Sequence, residues 1–133
     1  MDFWPGPIDT LTTSVTPSTC NKFDKHFKLT REEVEAFTAD FAANGASVNV
    51  PDAIKNWPGN GSGEQAHYLA PFYDNDGDGI YNPQGGDFPK YYFEKLPQGA
   101  GGYPIFSGMD ECGKDVLLGD MTLWWVFNDV GNI

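Results

Sequence analysis

Apolar residues recur along this chain at two spacings, and those spacings place the regular elements. Between Thr30 and Gly45 they fall at Val34, Phe37 and Phe41, the three- and four-residue steps that line one face of a helix. Thr30 marks the start, since its hydroxyl can cap the first turn while Glu33 reaches back to form a capping box. Asn44-Gly45 marks the end, where glycine admits a left-handed backbone. The pattern predicts one amphipathic helix over about residues 31–43. A shorter helical turn is expected from Pro51 and has to end before Trp57-Pro58. Strand spacing is clearest from Met121 to Phe127, and Tyr91-Tyr92-Phe93 reads as a second strand. Trp124 and Trp125 are neighbours in the first of these and face opposite sides, so burying both requires cover on both faces.

The rest of the pattern is punctuation. Sixteen Gly and ten Pro leave few windows long enough for helices. The expected fold is therefore mainly β, with that single helix and long ordered Gly/Pro-rich loops. Residues 1–20 are rich in Thr, Ser and Pro with no helical period and are expected to form an extended arm, pinned to the body by burial of Phe3 and Trp4. Asn56 to Gly63 is all turn chemistry, and Pro97 to Gly108 reads as a Gly/Pro loop. Residues 1–133 suit one domain. The last residues, Val-Gly-Asn-Ile, bring no closing element, so the chain is expected to be the N-terminal fragment of a longer one.

Composition narrows the partners. Aromatic residues make up 15% of the chain, which favours a core built on rings. Eight basic against nineteen acidic residues give a net charge of −11, which repels nucleic acid and anionic membrane surfaces. No apolar run approaches the roughly 20 residues that cross a bilayer, so no membrane insertion is expected. Cys20 and Cys112 have neither CxxC spacing nor a histidine partner nearby. A disulfide between them is the preferred reading, worth on the order of 4 kcal/mol by the chain-entropy argument for a loop of about 90 residues. Two unpaired buried thiols are the other.

The chemistry concentrates between Asp74 and Asp87. Carboxylates stand at the first, third and fifth positions of Asp74-Asn-Asp76-Gly-Asp78-Gly79, with glycine sixth. Calcium takes six to eight oxygens, and alternate residues of a tightly turned DxDxDG loop can aim theirs at one centre. Asp74, Asp76 and Asp78, the carbonyl of Ile80, Asn82 and finally Asp87 are the expected ligands of Ca2+. Tyr81 faces the core. The loop is not an EF-hand, because Gly85 stands where a bidentate Glu is needed and the flanks are too rich in proline and aromatics to be paired helices. The competing reading is an acidic solvated turn, against which three acids at strict alternation are self-repelling. Affinity in the ~10⁻⁴ to 10⁻³ M class of extracellular modules is expected, which makes the ion structural.

Other candidates are weaker. His26 and His67 have no Cys, Ser or second His at triad or ligand spacing, and the chain is not expected to be an enzyme. Trp4, Trp57, Trp124 and Trp125 with several Tyr supply the rings for a sugar-stacking platform, although a ring-built core has to claim some of them.

Taken together, DFWPGP near the start, a Cys before KFDKHFKLTREEVEAF, IKNWPGNG, YLAPFYDNDGDGIYNPQGGDFP and GDMTLWWVFNDVGN resemble the N-terminal region of large secreted or cell-surface proteins of Bacteroidota. Those proteins end in a sorting domain read by the type IX secretion system. The resemblance implies an exported protein, Asp74, Asp76, Asp78 and Asp87 as metal ligands, and O-glycosylation at Thr10 within Asp9-Thr10-Leu11. The resulting expectation is a calcium-stabilised extracellular structural or adhesive module whose partners are other domains of the same chain or copies of itself. A carbohydrate-binding module using exposed Trp or Tyr, with glycans as partners, is the alternative.

Overall fold

The computed structural model describes residues 3–90, 92–93, 106–107 and 120–130. In chain order the elements are β1 (Trp4–Pro5), α1 (Pro17–Phe23), β2 (Phe27–Thr30), α2 (Arg31–Asn44), α3 (Asp52–Lys55), β3 (Phe72–Tyr73), β4 (Phe88–Pro89), β5 (Tyr92–Phe93), β6 (Phe106–Ser107), β7 (Met121–Trp124) and β8 (Phe127–Asn128). Single 3₁₀ turns follow α2 and precede β4. The strands form antiparallel pairs, β1 with β8, β2 with β7, β3 with β4 and β5 with β6. The fold is thus small, with few helices and short antiparallel strands.

Helix α2 forms for the local reasons read in the sequence. The Thr30 hydroxyl accepts from the Glu33 N–H at 3.2 Å, and the Glu33 carboxylate accepts from the Thr30 N–H at 2.8 Å. At the other end Gly45 takes φ +57° and its N–H donates to the Phe41 carbonyl. The apolar face of α2 buries Val34 and Phe37 against Leu29, Val48, Ile54, Trp57 and Ala70, with Phe41 half-buried beside them. Trp57 satisfies its indole N–H on the Pro71 carbonyl at 3.1 Å, which lets the ring lie in the core without a stranded donor. Half-buried Trp124 closes this cluster, 6.3 Å from Trp57 between ring centroids.

Three expectations are corrected. The described residues hold three helices where one amphipathic helix and one short helical turn were expected: α3 is the turn anticipated after Pro51, but α1 begins inside the segment expected to be an extended arm. Its start signal is ordinary, with Pro17 in the first turn and the Thr16 hydroxyl accepting from the Thr19 N–H at 3.2 Å. The arm is held to the body by backbone pairing instead of ring burial. Trp4 pairs with Asn128, the Gly6 N–H donates to the Val126 carbonyl, and the Asn128 side chain donates to the Gly6 carbonyl, while Phe3 stays 60% and Trp4 39% exposed. The long strand expected from Met121 to Phe127 breaks at Trp125-Val126, where it leaves β2 for β1, so Trp124 turns inward and Trp125 outward. The loop expected over Pro97 to Gly108 lies outside the described residues apart from β6. Cys20 is half-buried on α1, and Cys112 lies outside the described residues.

Candidate metal centre

The acidic loop is the connection of a hairpin. Strands β3 and β4 pair Phe72 with Pro89 and Tyr73 with Phe88, and the rings of Tyr73 and Phe88 stack 5.0 Å apart. Two-residue strands stand where an EF-hand has helices. Between them the chain turns on Gly77 at φ +76° and Gly79 at φ +78°, which side-chain-bearing residues rarely adopt.

Each acid of the loop folds the backbone around itself. Asp74 accepts from the Gly77 N–H and the Gly79 N–H, both at 2.7 Å, one through each carboxylate oxygen. Asp76 accepts from the Asp78 N–H at 3.2 Å and Asp78 from the Ile80 N–H at 2.7 Å. The N–H of Gly79, followed by that of Gly77, holds the Asp74 carboxyl below the usual carboxylate range. The outcome is convergence: one carboxylate oxygen from each of Asp74, Asp76 and Asp78 lies within 4.8 Å of the others. Two oxygens bound to one calcium at about 2.3–2.6 Å stand at most about 5 Å apart, so these three can share an ion. Hard, charged oxygen donors are also the set that a hard divalent cation prefers.

The remaining expected ligands are placed differently. Asp87 is buried beneath the loop and stands outside the three-acid group. Its two oxygens accept from the Asn75 N–H at 2.9 Å and the Asn82 N–H at 2.8 Å, so it fastens the loop's entry to its exit. Burial raises the pKa of this carboxyl above the ordinary value; the two N–H donors oppose that shift and the charges of Asp74 and Asp76 add to it. Asn82 contributes its backbone N–H to this clasp. Ile80 is exposed, with its N–H on Asp78. Tyr81 turns inward as expected, its hydroxyl donating to the Ile54 carbonyl at 2.6 Å, and burial followed by the charge of Asp87 keeps that hydroxyl protonated far above its usual range.

Two supporting residues carry no signal within the loop itself. Asn60 donates to the Gly79 carbonyl at 3.0 Å and accepts from the Tyr81 N–H at 2.6 Å. His67 bonds the same Gly79 carbonyl through Nε2 at 2.8 Å, which requires that nitrogen to carry the proton. Asn60 lies in the turn-rich run from Asn56 to Gly63, and His67 between that run and the acidic loop. Helix α2 reaches the site too. Gly86, at φ +102°, lies so close to Phe41 that a Cβ there would stand 2.6 Å from the ring.

Elsewhere, Thr10 sits on an exposed turn with its hydroxyl donating to the Glu64 carbonyl at 2.6 Å. Asp9 shapes that turn by accepting from the Leu11 and Thr12 N–H groups. No protein-family profile, characterised protein or solved structure matches this chain.

Proposed function

We propose that the loop from Asp74 to Asp78 binds calcium and that the chain is a calcium-stabilised structural or adhesive module of a secreted or cell-surface protein. The observation that carries this reading is the approach of three carboxylate oxygens to within 4.8 Å of one another. Three like charges held that close favour a compensating cation, and a net charge of −11 draws cations to the whole surface. A divalent ion between them also reverses the field that Asp74 and Asp76 exert on the buried Asp87. The likeness of YLAPFYDNDGDGIYNPQGGDFP and its companions to exported Bacteroidota proteins supports an extracellular setting, where calcium is abundant and Cys20 and Cys112 would be oxidised. In this reading the Ile80 carbonyl, Asn82 and water complete the shell, Thr10 is the glycan acceptor, and the chain is not an enzyme.

Thermal melting with and without the ion tests it. With a dissociation constant of ~10⁻⁴ to 10⁻³ M, millimolar calcium adds roughly 0.4–1.4 kcal/mol by mass action. The midpoint is expected to rise on moving from excess EGTA to millimolar calcium, and Asp78→Asn is expected to abolish the rise. A midpoint that calcium does not move overturns the reading.

A further inference from the structure

We infer that the open cleft where the two ends of the described chain meet is a binding site for a neutral saccharide. The pairing of β1 with β8 sets Trp4 across from the residues that follow β7, and the turn between α1 and β2 closes a third side. The cleft has a volume of about 330 Å³, within the range of small-ligand sites and far below a macromolecular interface. It leads down to buried Phe23.

Its walls keep large rings in water. Trp4 is 39%, Trp125 51%, Phe127 54% and Phe3 60% exposed, although this fold buries Trp57 and Phe37 almost completely. Four exposed rings, two of them edge-on to each other at 5.0 Å in Phe3 and Phe127, make one contiguous apolar patch around the cleft, the kind of patch that marks ligand and partner sites. A greasy docking face would stop there, but this cleft also carries polar groups that no other described residue engages. Asp24 makes no hydrogen bond or ion pair with another described residue. His26 meets its neighbours only through its ring, edge-on to Trp125 at 5.2 Å, so neither nitrogen has a protein partner among the described residues. Lys25 is drawn aside, its ammonium 4.9 Å from the centre of the Phe27 ring.

Ring faces beside a carboxylate and an imidazole that no described residue engages match the two halves of a pyranose. Its C–H face lies on an aromatic ring, and its hydroxyls donate to a carboxylate and exchange hydrogen bonds with imidazole. A chain of net charge −11 disfavours acidic sugars, and ring faces with hydroxyl-matching polar groups suit neutral ones. The four tryptophans accordingly divide, Trp57 and Trp124 into the core and Trp4 and Trp125 to the cleft.

The indole N–H signals of the four tryptophans in a ¹H–¹⁵N correlation spectrum test this site directly. The probes are tetrasaccharides of β-1,4-linked glucose, β-1,4-linked N-acetylglucosamine and α-1,6-linked mannose, titrated into the 133-residue chain in millimolar calcium. At least one is expected to shift the Trp4 and Trp125 signals saturably while Trp57, bonded to Pro71, stays in place. Trp125→Ala and Asp24→Asn, both surface changes, are each expected to weaken that binding by about tenfold, or ~1.4 kcal/mol. Leu11→Ala, on a remote exposed turn, leaves it unchanged. Failure of all three sugars to move Trp4 and Trp125 overturns the inference. So does a response to a Leu/Phe-rich peptide alone, or sugar binding that Trp125→Ala does not weaken.

Discussion

Replacing Asp87 with alanine separates a residue that fastens the loop from one that holds an ion. The carboxylate is buried, and its two oxygens are the acceptors for the Asn75 and Asn82 N–H groups, seven residues apart at the loop's two ends. Alanine removes both part-buried hydrogen bonds, and a hydrogen bond to a charged group is worth about 1.5–3 kcal/mol. Two of them give roughly 3–6 kcal/mol. Part is returned, because burial and the charges of Asp74 and Asp76 already disfavour the ionised carboxylate. A net loss of about 2–4 kcal/mol remains, which lowers the melting midpoint of a chain this size by roughly 6–16 °C. Calorimetry in excess EGTA and in millimolar calcium, with Asp76→Asn run alongside, distinguishes the roles. Asp87→Ala is expected to melt lower in both buffers, whereas the exposed Asp76→Asn melts lower only in calcium and, with less repulsion among the acids, no lower than the wild type in EGTA. If Asp87→Ala melts with the wild type in EGTA and falls behind only when calcium is present, the clasp is refuted and Asp87 is a ligand.

Gly86→Ala is expected to destabilise by about 2–4 kcal/mol, seen as a lower urea midpoint, because it combines a φ of +102° with a Cβ 2.6 Å from Phe41. Phe37→Ala removes a ring that is 1% exposed at the centre of the core, and a loss of about 3–5 kcal/mol in the same assay is expected. At Asp9 the N–H groups of Thr12 and Leu11 hold the folded pKa below the ordinary 3.8, so its stabilising effect is complete above that value and fades as pH falls through the folded pKa. The difference in urea midpoint between the wild type and Asp9→Ala should therefore narrow from neutral pH toward pH ~2.

What could be read in advance follows the sequence distance over which each feature is decided. The capping box of Thr30 and Glu33, the stop at Gly45 and the convergence of Asp74, Asp76 and Asp78 are settled within a few residues, and each stands where the spacing put it. Helix α1 is equally local, with its start signal at Thr16-Pro17, but it is short and sits in a Thr/Ser/Pro-rich stretch with no helical period. Asp87 is a different case. The spacing read its chemistry and its nearness to the loop, yet whether an acid meets an ion or an N–H depends on the path of the chain between Asn75 and Asn82. The sorting of the tryptophans is less local still. Trp125 is exposed because the chain leaves β2 at that point to pair with residues near the N-terminus, and the Asn128 to Gly6 hydrogen bond spans 122 positions. Alternation along Met121 to Phe127 says only that Trp124 and Trp125 face opposite ways. Which of them meets water is decided by where β1 lands, so the metal loop was open to local reading while the aromatic cleft was not.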